Sequence, residues 1–240
     1  MQKSKTEKFV IIVAGGIGKR MRAGLPKQFI KLAGKPVMLH TLQTFYEFDR
    51  ELKIIVVLNA DYFEMWNSVC EEYSCTVTHK IIKGGETRFD SVKNGLRAID
   101  KNIGIVAIHD AVRPLVDFET ISRCFSGAMK FGNALPAVSP GESVRMSCAE
   151  GNKPLKRNNI YLVQTPQVFS VARIKEAYAQ PYKPDFTDDA TVFETLGEKI
   201  NIVEGDVLNI KLTTSIDLQF AETVLKQRSK LPKITGMPNR

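Results

Sequence analysis

Short, almost unbroken apolar runs alternate along this chain with segments whose apolar residues recur at helical spacing. The runs are Phe9–Val13, Ile54–Leu58, Ile105–Ile108 and Ala134–Val138. Strands of a parallel sheet, covered by helices on both faces, have this form because neither face can be polar. Between them, Met38, Leu42 and Phe45 recur at i, i+4, i+7 behind Pro36, a residue suited to a first helical turn. Ile121, Cys124, Phe125, Ala128 and Met129 form one amphipathic face, and Val92, Leu96 and Ile99 mark a shorter helix after Gly84-Gly85. The alternation predicts an α/β fold built on a doubly wound, mostly parallel twisted sheet.

The pattern breaks between about Ser139 and Gln164, where Pro140, Gly141, Gly151 and Pro154 interrupt two short strand-like pieces, Val144–Met146 and Tyr161–Val163. A stretch of this length without helical periodicity reads as a β-arm projecting from the sheet, because long loops in compact domains tend to be functional or interfacial. Further helices are expected near Val171–Ala179, over Thr187–Leu196 and from Ser215, with strands at Lys199–Val203 and Val207–Ile210. No repeat or linker divides the chain, so residues 1–240 are read as one domain carrying an arm at about 139–164.

Charge adds less than its total suggests. The net charge is +8, but residues 1–8 contribute +2 (Lys3, Lys5, Lys8 against Glu7) and residues 226–240 contribute +5. The body is therefore close to neutral, and a nucleic-acid partner is not expected. No apolar run approaches the roughly 20 residues of a membrane span. The basic start leads into a strand rather than a signal-peptide core, so the expectation is a cytoplasmic protein without membrane attachment. Cys70, Cys75, Cys124 and Cys148 show neither CxxC pairing nor histidines at zinc spacing, and read as free thiols.

Candidate chemistry begins where the first strand ends. Val10–Phe29 reads VIIVAGGIGKRMRAGLPKQF: an apolar strand, a glycine-rich turn, then Arg20 and Lys27. Glycines let backbone N–H groups curl around anionic oxygens, and the cations neutralise what amides cannot. Met21 stands where a dinucleotide fingerprint needs its third glycine, and no Gly-Lys-Ser/Thr follows to make a P-loop. Farther on, Asp110 and Arg113 follow an apolar strand, at the ligand edge of a parallel sheet, where Asp110 can meet a ribose hydroxyl, a magnesium ion, or merely cap a turn. His109 reads as a packed histidine. Arg157 alone would be a solvated arm residue, and Lys211 a surface charge.

Together these stretches resemble a known family. AGGIGKRM with PKQF, GGETRFDSV (Gly84–Val92), HDAVRP (His109–Pro114), QTPQVF (Gln164–Phe169), FTDDA (Phe186–Ala190) and NIKLTT (Asn209–Thr214) resemble the nucleotidyltransferases that join a nucleoside monophosphate to a phosphorylated sugar or polyol. More narrowly they are similar to the 2-C-methyl-D-erythritol 4-phosphate cytidylyltransferases of non-mevalonate isoprenoid synthesis. The blocks run in that family's order across residues 9–225. The resemblance implies a Rossmann-like nucleotidyltransferase fold and transfer of cytidylyl from CTP to a polyol phosphate, with magnesium as cofactor and release of pyrophosphate. It implies catalytic roles for Arg20, Lys27, Arg157 and Lys211. It places Ala14, Gly15, Gly16, Gly18, Gly85, Glu86, Ser91, Asp110 and Ala111 on CTP, with Asp110 a possible metal contact. It places Arg113, Ser143, Arg157, Thr165 and Thr187 on the acceptor, and makes the arm the exchanged element of a homodimer.

Two departures keep the acceptor open. Ala14-Gly15-Gly16 replaces the Ala-Ala-Gly common in that family and is shared with ribitol 5-phosphate cytidylyltransferases; Glu142-Ser143 stands where Asp-Thr is usual. Arg157 through Gln167 is closer to the methylerythritol type. A non-catalytic nucleotide-binding protein on the same fold is a different class of reading, opposed by the presence of both loop cations together with Arg157 and Lys211.

Overall fold

Strand β1 (Lys8–Ala14) lies inside the sheet, and its alternation divides the core in two. The computed structural model describes residues 6–15 and 25–230, with side chains up to 228. Val10, Ile12 and Ala14 point to one face, Phe9 and Ile11 to the other. The first face is covered by α1 (Val37–Phe48), α2 (Phe63–Glu72) and α4 (Phe118–Phe131), through Leu42, Phe45, Trp66 and Phe125. The second is covered by α3 (Arg88–Arg97), α5 (Val171–Ala177) and α6 (Asp189–Glu194), through Phe89, Val92, Ile174 and Phe193. A short hairpin, β2 (Lys31–Leu32) with β3 (Lys35–Pro36), contacts α7 (Ser215–Lys230) in a smaller cluster around Leu115 and Leu212.

Among the described residues the sheet has eight strands. Flanking β1 are β4 (Lys53–Leu58) and β6 (Ile105–Asp110), both parallel to it, and β5 (His79–Lys83) extends the parallel run beyond β4. Past β6 the order changes. β11 (Gln167–Ser170) lies antiparallel between β6 and β7 (Asn133–Val138), and β12 (Ile202–Glu204) pairs parallel with β7. The doubly wound reading is thus right for a sheet that is mixed rather than parallel throughout. Residues 162–170 run beside β7 as one strand in two pieces: β10 (Leu162–Val163) opposite Val138 and Ala137, then β11 opposite Ala134 and Asn133. Between them, Gln164–Pro166 bulges, with a cis Thr165–Pro166 bond.

The periodicity missed α2 and β5, and it placed other elements imperfectly. The strand expected at Lys199–Val203 is Ile202–Glu204, and the helix expected over Thr187–Leu196 is Asp189–Glu194, started by Asp188, whose carboxylate accepts the Thr191 N–H at 2.9 Å. The strand expected at Val207–Ile210 is a turn. Its N–H groups close locally, Leu208 onto the Asp206 carboxylate at 2.9 Å and Asn209 onto the Asp206 carbonyl at 2.9 Å, so no strand partner is needed. The 139–164 stretch contains a hairpin, β8 (Val144–Cys148) with β9 (Gly151–Leu155), that forms its own two-stranded sheet. No helix among the described residues is long and apolar enough to cross a membrane.

Candidate active site

Because β1, β4, β5 and β6 are parallel, Ala14, Leu58, Lys83 and Asp110 all end at one edge of the sheet. Ligands collect at such edges because the turns there present free backbone groups. Gly15 follows β1, Gly84 and Gly85 follow β5, and α3 returns Ser91 between them. The Ser91 hydroxyl accepts the Gly85 N–H at 3.1 Å and donates to the Thr87 carbonyl at 2.9 Å. A Cβ on Gly15 would stand 2.7 Å from that hydroxyl oxygen, and one on Gly84 3.2 Å from it. With Ser91 in this rotamer Gly15 packs directly against the hydroxyl, and a Cβ there would oblige the Ser91 side chain to shift. Thr87 and Asp90 exchange a capping box that fixes the start of α3 and hence the position of Ser91.

Across β1, Asp110 closes β6 as a buried carboxylate, 8% exposed. Its Oδ2 meets Lys211 Nζ at 2.9 Å and Arg113 Nε at 3.6 Å; among the described residues its Oδ1 meets Arg88 Nε, at 3.4 Å. Burial by itself would raise the carboxyl's pKa, but Arg88, Lys211 and Arg113 outweigh it and hold the group ionised below the ordinary carboxylate value. Arg113 is anchored by donating to the Asn209 carbonyl at 2.7 Å, and Asn209 donates in turn to the Thr165 carbonyl at 2.8 Å. The turn that replaced the expected strand therefore serves to bring Lys211 to Asp110.

His109 and Thr165 brace the same corner. Burial lowers the His109 pKa to about 4, so the ring is neutral at pH 7. Its Nε2 faces the Arg113 carbonyl at 3.2 Å, which can only accept, so Nε2 carries the proton and Nδ1 accepts. Thr165 therefore donates its hydroxyl proton to Nδ1 at 3.1 Å while accepting the Asp110 N–H, also at 3.1 Å. The bulge before β11 is what aims Thr165 at both groups.

The structure gathers some expected residues and leaves others apart. Arg88, Asp110, Arg113, Thr165, Thr187 and Lys211 line one cavity of about 640 Å³. Lys27 donates to the Thr213 carbonyl at 3.1 Å, which ties it to the segment carrying Lys211. In the same PKQF block, Gln28 donates to the Ala14 carbonyl at 2.9 Å and clamps the end of β1. Ala111 is buried, its N–H on the Val13 carbonyl and its carbonyl accepting the Thr41 hydroxyl. Gly85 and Glu86 are exposed beside the Ser91 turn. Ser143 and Arg157 sit on the arm, exposed and outside the cavity lining, with Arg157 donating to the Gly141 carbonyl at 3.3 Å. Gly16, Gly18 and Arg20 lie outside the described residues. Arg88 and Asp189 were not singled out in the sequence, although both stand inside its motif blocks, GGETRFDSV and FTDDA.

The described residues do not fit a protein-built magnesium cage. Magnesium is usually held by one or two carboxylates together with substrate phosphates and waters, and the carboxylate that closes β6, Asp110, already faces three cations. Among the described residues no group of three or more His, Cys, Asp or Glu could hold a metal.

The sequence matches the 2-C-methyl-D-erythritol 4-phosphate cytidylyltransferase family over residues 9–227. Relatives of that name include one from Bacteroides fragilis, 47% identical over 215 residues (90% of this chain and 98% of the relative), and one from Alkaliphilus oremlandii, 40% identical over 230 residues (94% and 97%). Among solved structures, the Francisella tularensis 2-C-methyl-D-erythritol 4-phosphate cytidylyltransferase is 34% identical, with a TM-score of 0.76 over 91% of this chain and 99% of that one. The Anaerococcus prevotii 4-diphosphocytidyl-2C-methyl-D-erythritol synthase is 28% identical, with a TM-score of 0.79 over 92% and 96%. On a match that spans nearly the whole chain, this chain belongs to the 2-C-methyl-D-erythritol 4-phosphate cytidylyltransferase family.

Proposed function

We propose that this protein transfers cytidylyl from CTP to 2-C-methyl-D-erythritol 4-phosphate, forming 4-diphosphocytidyl-2-C-methyl-D-erythritol and pyrophosphate. One observation carries the reading beyond family membership: an ionised Asp110 at the carboxyl edge of β6, with Lys211 and Arg113 on its Oδ2 and a glycine turn across β1. The turns at Gly15 and Gly84–Gly85, the second with its N–H groups already held by Leu58 and Ser91, would border the cytosine and the phosphates. Asp110 Oδ1 faces the ribose. An acceptor phosphate oxygen attacks the α-phosphorus in line, and the α–β bridging oxygen leaves with pyrophosphate. The nucleophile is already an anion, so no general base is required, which suits a His109 held neutral and hydrogen-bonded on both nitrogens.

What remains for the protein is to bring two polyanions together and stabilise charge at the α-phosphate. Lys27 and Lys211, linked through Thr213, take this role in our reading, and Arg20 joins them. Arg113, Thr187 and Thr165 would border the acceptor phosphate from the body, Ser143 and Arg157 from an arm. We infer that the arm comes from a second copy, because a two-stranded hairpin exposed along both strands is not stable alone. Magnesium enters this reading on the nucleotide's own phosphates, not on Asp110.

Pyrophosphate release tests the assignment, measured with CTP, magnesium and either methylerythritol phosphate or ribitol 5-phosphate. Turnover is expected with the first, in line with the names of the relatives. Turnover with ribitol 5-phosphate alone would reassign the acceptor, and release with neither would sink the enzymatic reading.

A further inference from the structure

Asp189 is a fully buried carboxylate, 0% exposed, at the first residue of α6. It takes both Arg88 terminal nitrogens, at 2.9 and 2.7 Å, and the Tyr178 hydroxyl at 2.6 Å. It is not needed to start the helix, because Asp188 provides the cap. Nor does it anchor α6 to β11, because Gln167 does so by donating to Asp188 at 2.8 Å and accepting the Ala190 N–H at 2.9 Å. Arg88 therefore has its planar fork turned wholly toward Asp189 and leaves only Nε for Asp110 Oδ1, at a long 3.4 Å.

A guanidinium fork released from Asp189 would have Asp110 as its next carboxylate, and a bidentate pair there would be short and strong. It would occupy Oδ1, the oxygen that Lys211 and Arg113 leave open. We propose that Asp189 is a positioning residue for nucleotide binding: by holding the Arg88 fork away, it keeps Asp110 Oδ1 available to the sugar hydroxyls of the nucleotide. The inference rests on the reading above that Asp110 faces the nucleotide.

Steady-state kinetics with varied CTP test it. Asp189→Asn should raise KM for CTP about tenfold while kcat changes less than about threefold. Adding Arg88→Met should return KM most of the way, because the fork that blocks Oδ1 is gone and no buried charge is left unpaired. An unchanged KM in Asp189→Asn overturns the proposal, as does a KM equally raised in the double variant, which would mark a purely structural role. Should Asp189→Asn fail to fold, Tyr178→Phe removes the third hydrogen bond with both charges in place; a twofold to fivefold rise in KM is expected, and no rise overturns the proposal. Asp110→Asn separates the two levels. A normal KM for CTP in that variant would refute the nucleotide reading of Asp110 itself, and the inference with it. A raised KM there beside a normal one in Asp189→Asn would refute the inference alone.

Discussion

The sheet-edge site and the arm both contribute residues to the proposed reaction, yet they are built in opposite ways. Each charged group around Asp110 is tied by body contacts: Arg88 by Asp189, Arg113 by Asn209, Lys211 by Asp110 itself. On the arm, Ser143 and Arg157 are exposed, and so are Met146, Tyr161, Leu162 and Val163 at 40–51%. Preorganisation is local at the sheet edge because buried charges must be paired and hydrogen-bonded where they sit. The arm carries no such constraint by itself. Its geometry depends on what covers it.

Three measurements sharpen or break this contrast. The largest effect is expected at the site. Lys211→Met should lower kcat by 10²–10³, roughly 3–4 kcal/mol, by analogy with loss of one preorganised transition-state donor. A loss below tenfold would remove Lys211 from the chemistry.

The next concerns pH. His109 is fully buried and its pKa is lowered from 6.5 to about 4. The unfolded chain therefore binds the proton first as pH falls, so the contribution is complete above about pH 6.5 and is lost as pH falls toward 4. This is on the order of 3 kcal/mol. Thermal melts across pH 7 to 4 should show a fall that is shallower in a His109→Gln variant; parallel curves would contradict the buried neutral ring. Asp110 does not produce this fall. Its pKa is held below the ordinary carboxylate value, so its contribution persists through this window and goes only at more acidic pH.

The smallest effect belongs to the arm. Met146→Ser, at an exposed position, should leave Tm within about 2 °C at a fixed high protein concentration, as a surface change does. Light scattering should show its dimer dissociating at about tenfold higher concentration than the parent, about 1.4 kcal/mol. A parent that is an active monomer would end the exchanged-arm reading.

How legible was this in the sequence? The inner parallel strands were, because β1, β4 and β6 are buried on both faces and read as unbroken apolar runs. Helices α1 and α4 were, because each buries a wide stripe at 3.6-residue spacing. β11 was not: Gln167-Val-Phe-Ser is too short to show a strand period and follows Pro166, so its antiparallel place between β6 and β7 had no local signal. The Val207–Ile210 apolar residues resembled a strand, but Asp206 closes a turn there. At the site, the motif blocks named Asp110, Lys211, Ser91 and the glycines. They gave no role to Arg88 or Asp189, which lie 101 positions apart and interact only once α3 and α6 pack on the same face of the sheet.

By itself the sequence determined the layer architecture and the family, because period and motif are properties of neighbouring residues. Only the tertiary structure decided which groups share the Asp110 carboxylate and which of its oxygens each one meets. It also decided that the His109 ring is neutral and accepts the Thr165 hydroxyl's hydrogen bond. Those outcomes depend on burial and on distances of about 3 Å between elements far apart in the chain, where desolvation and charge together set each protonation state.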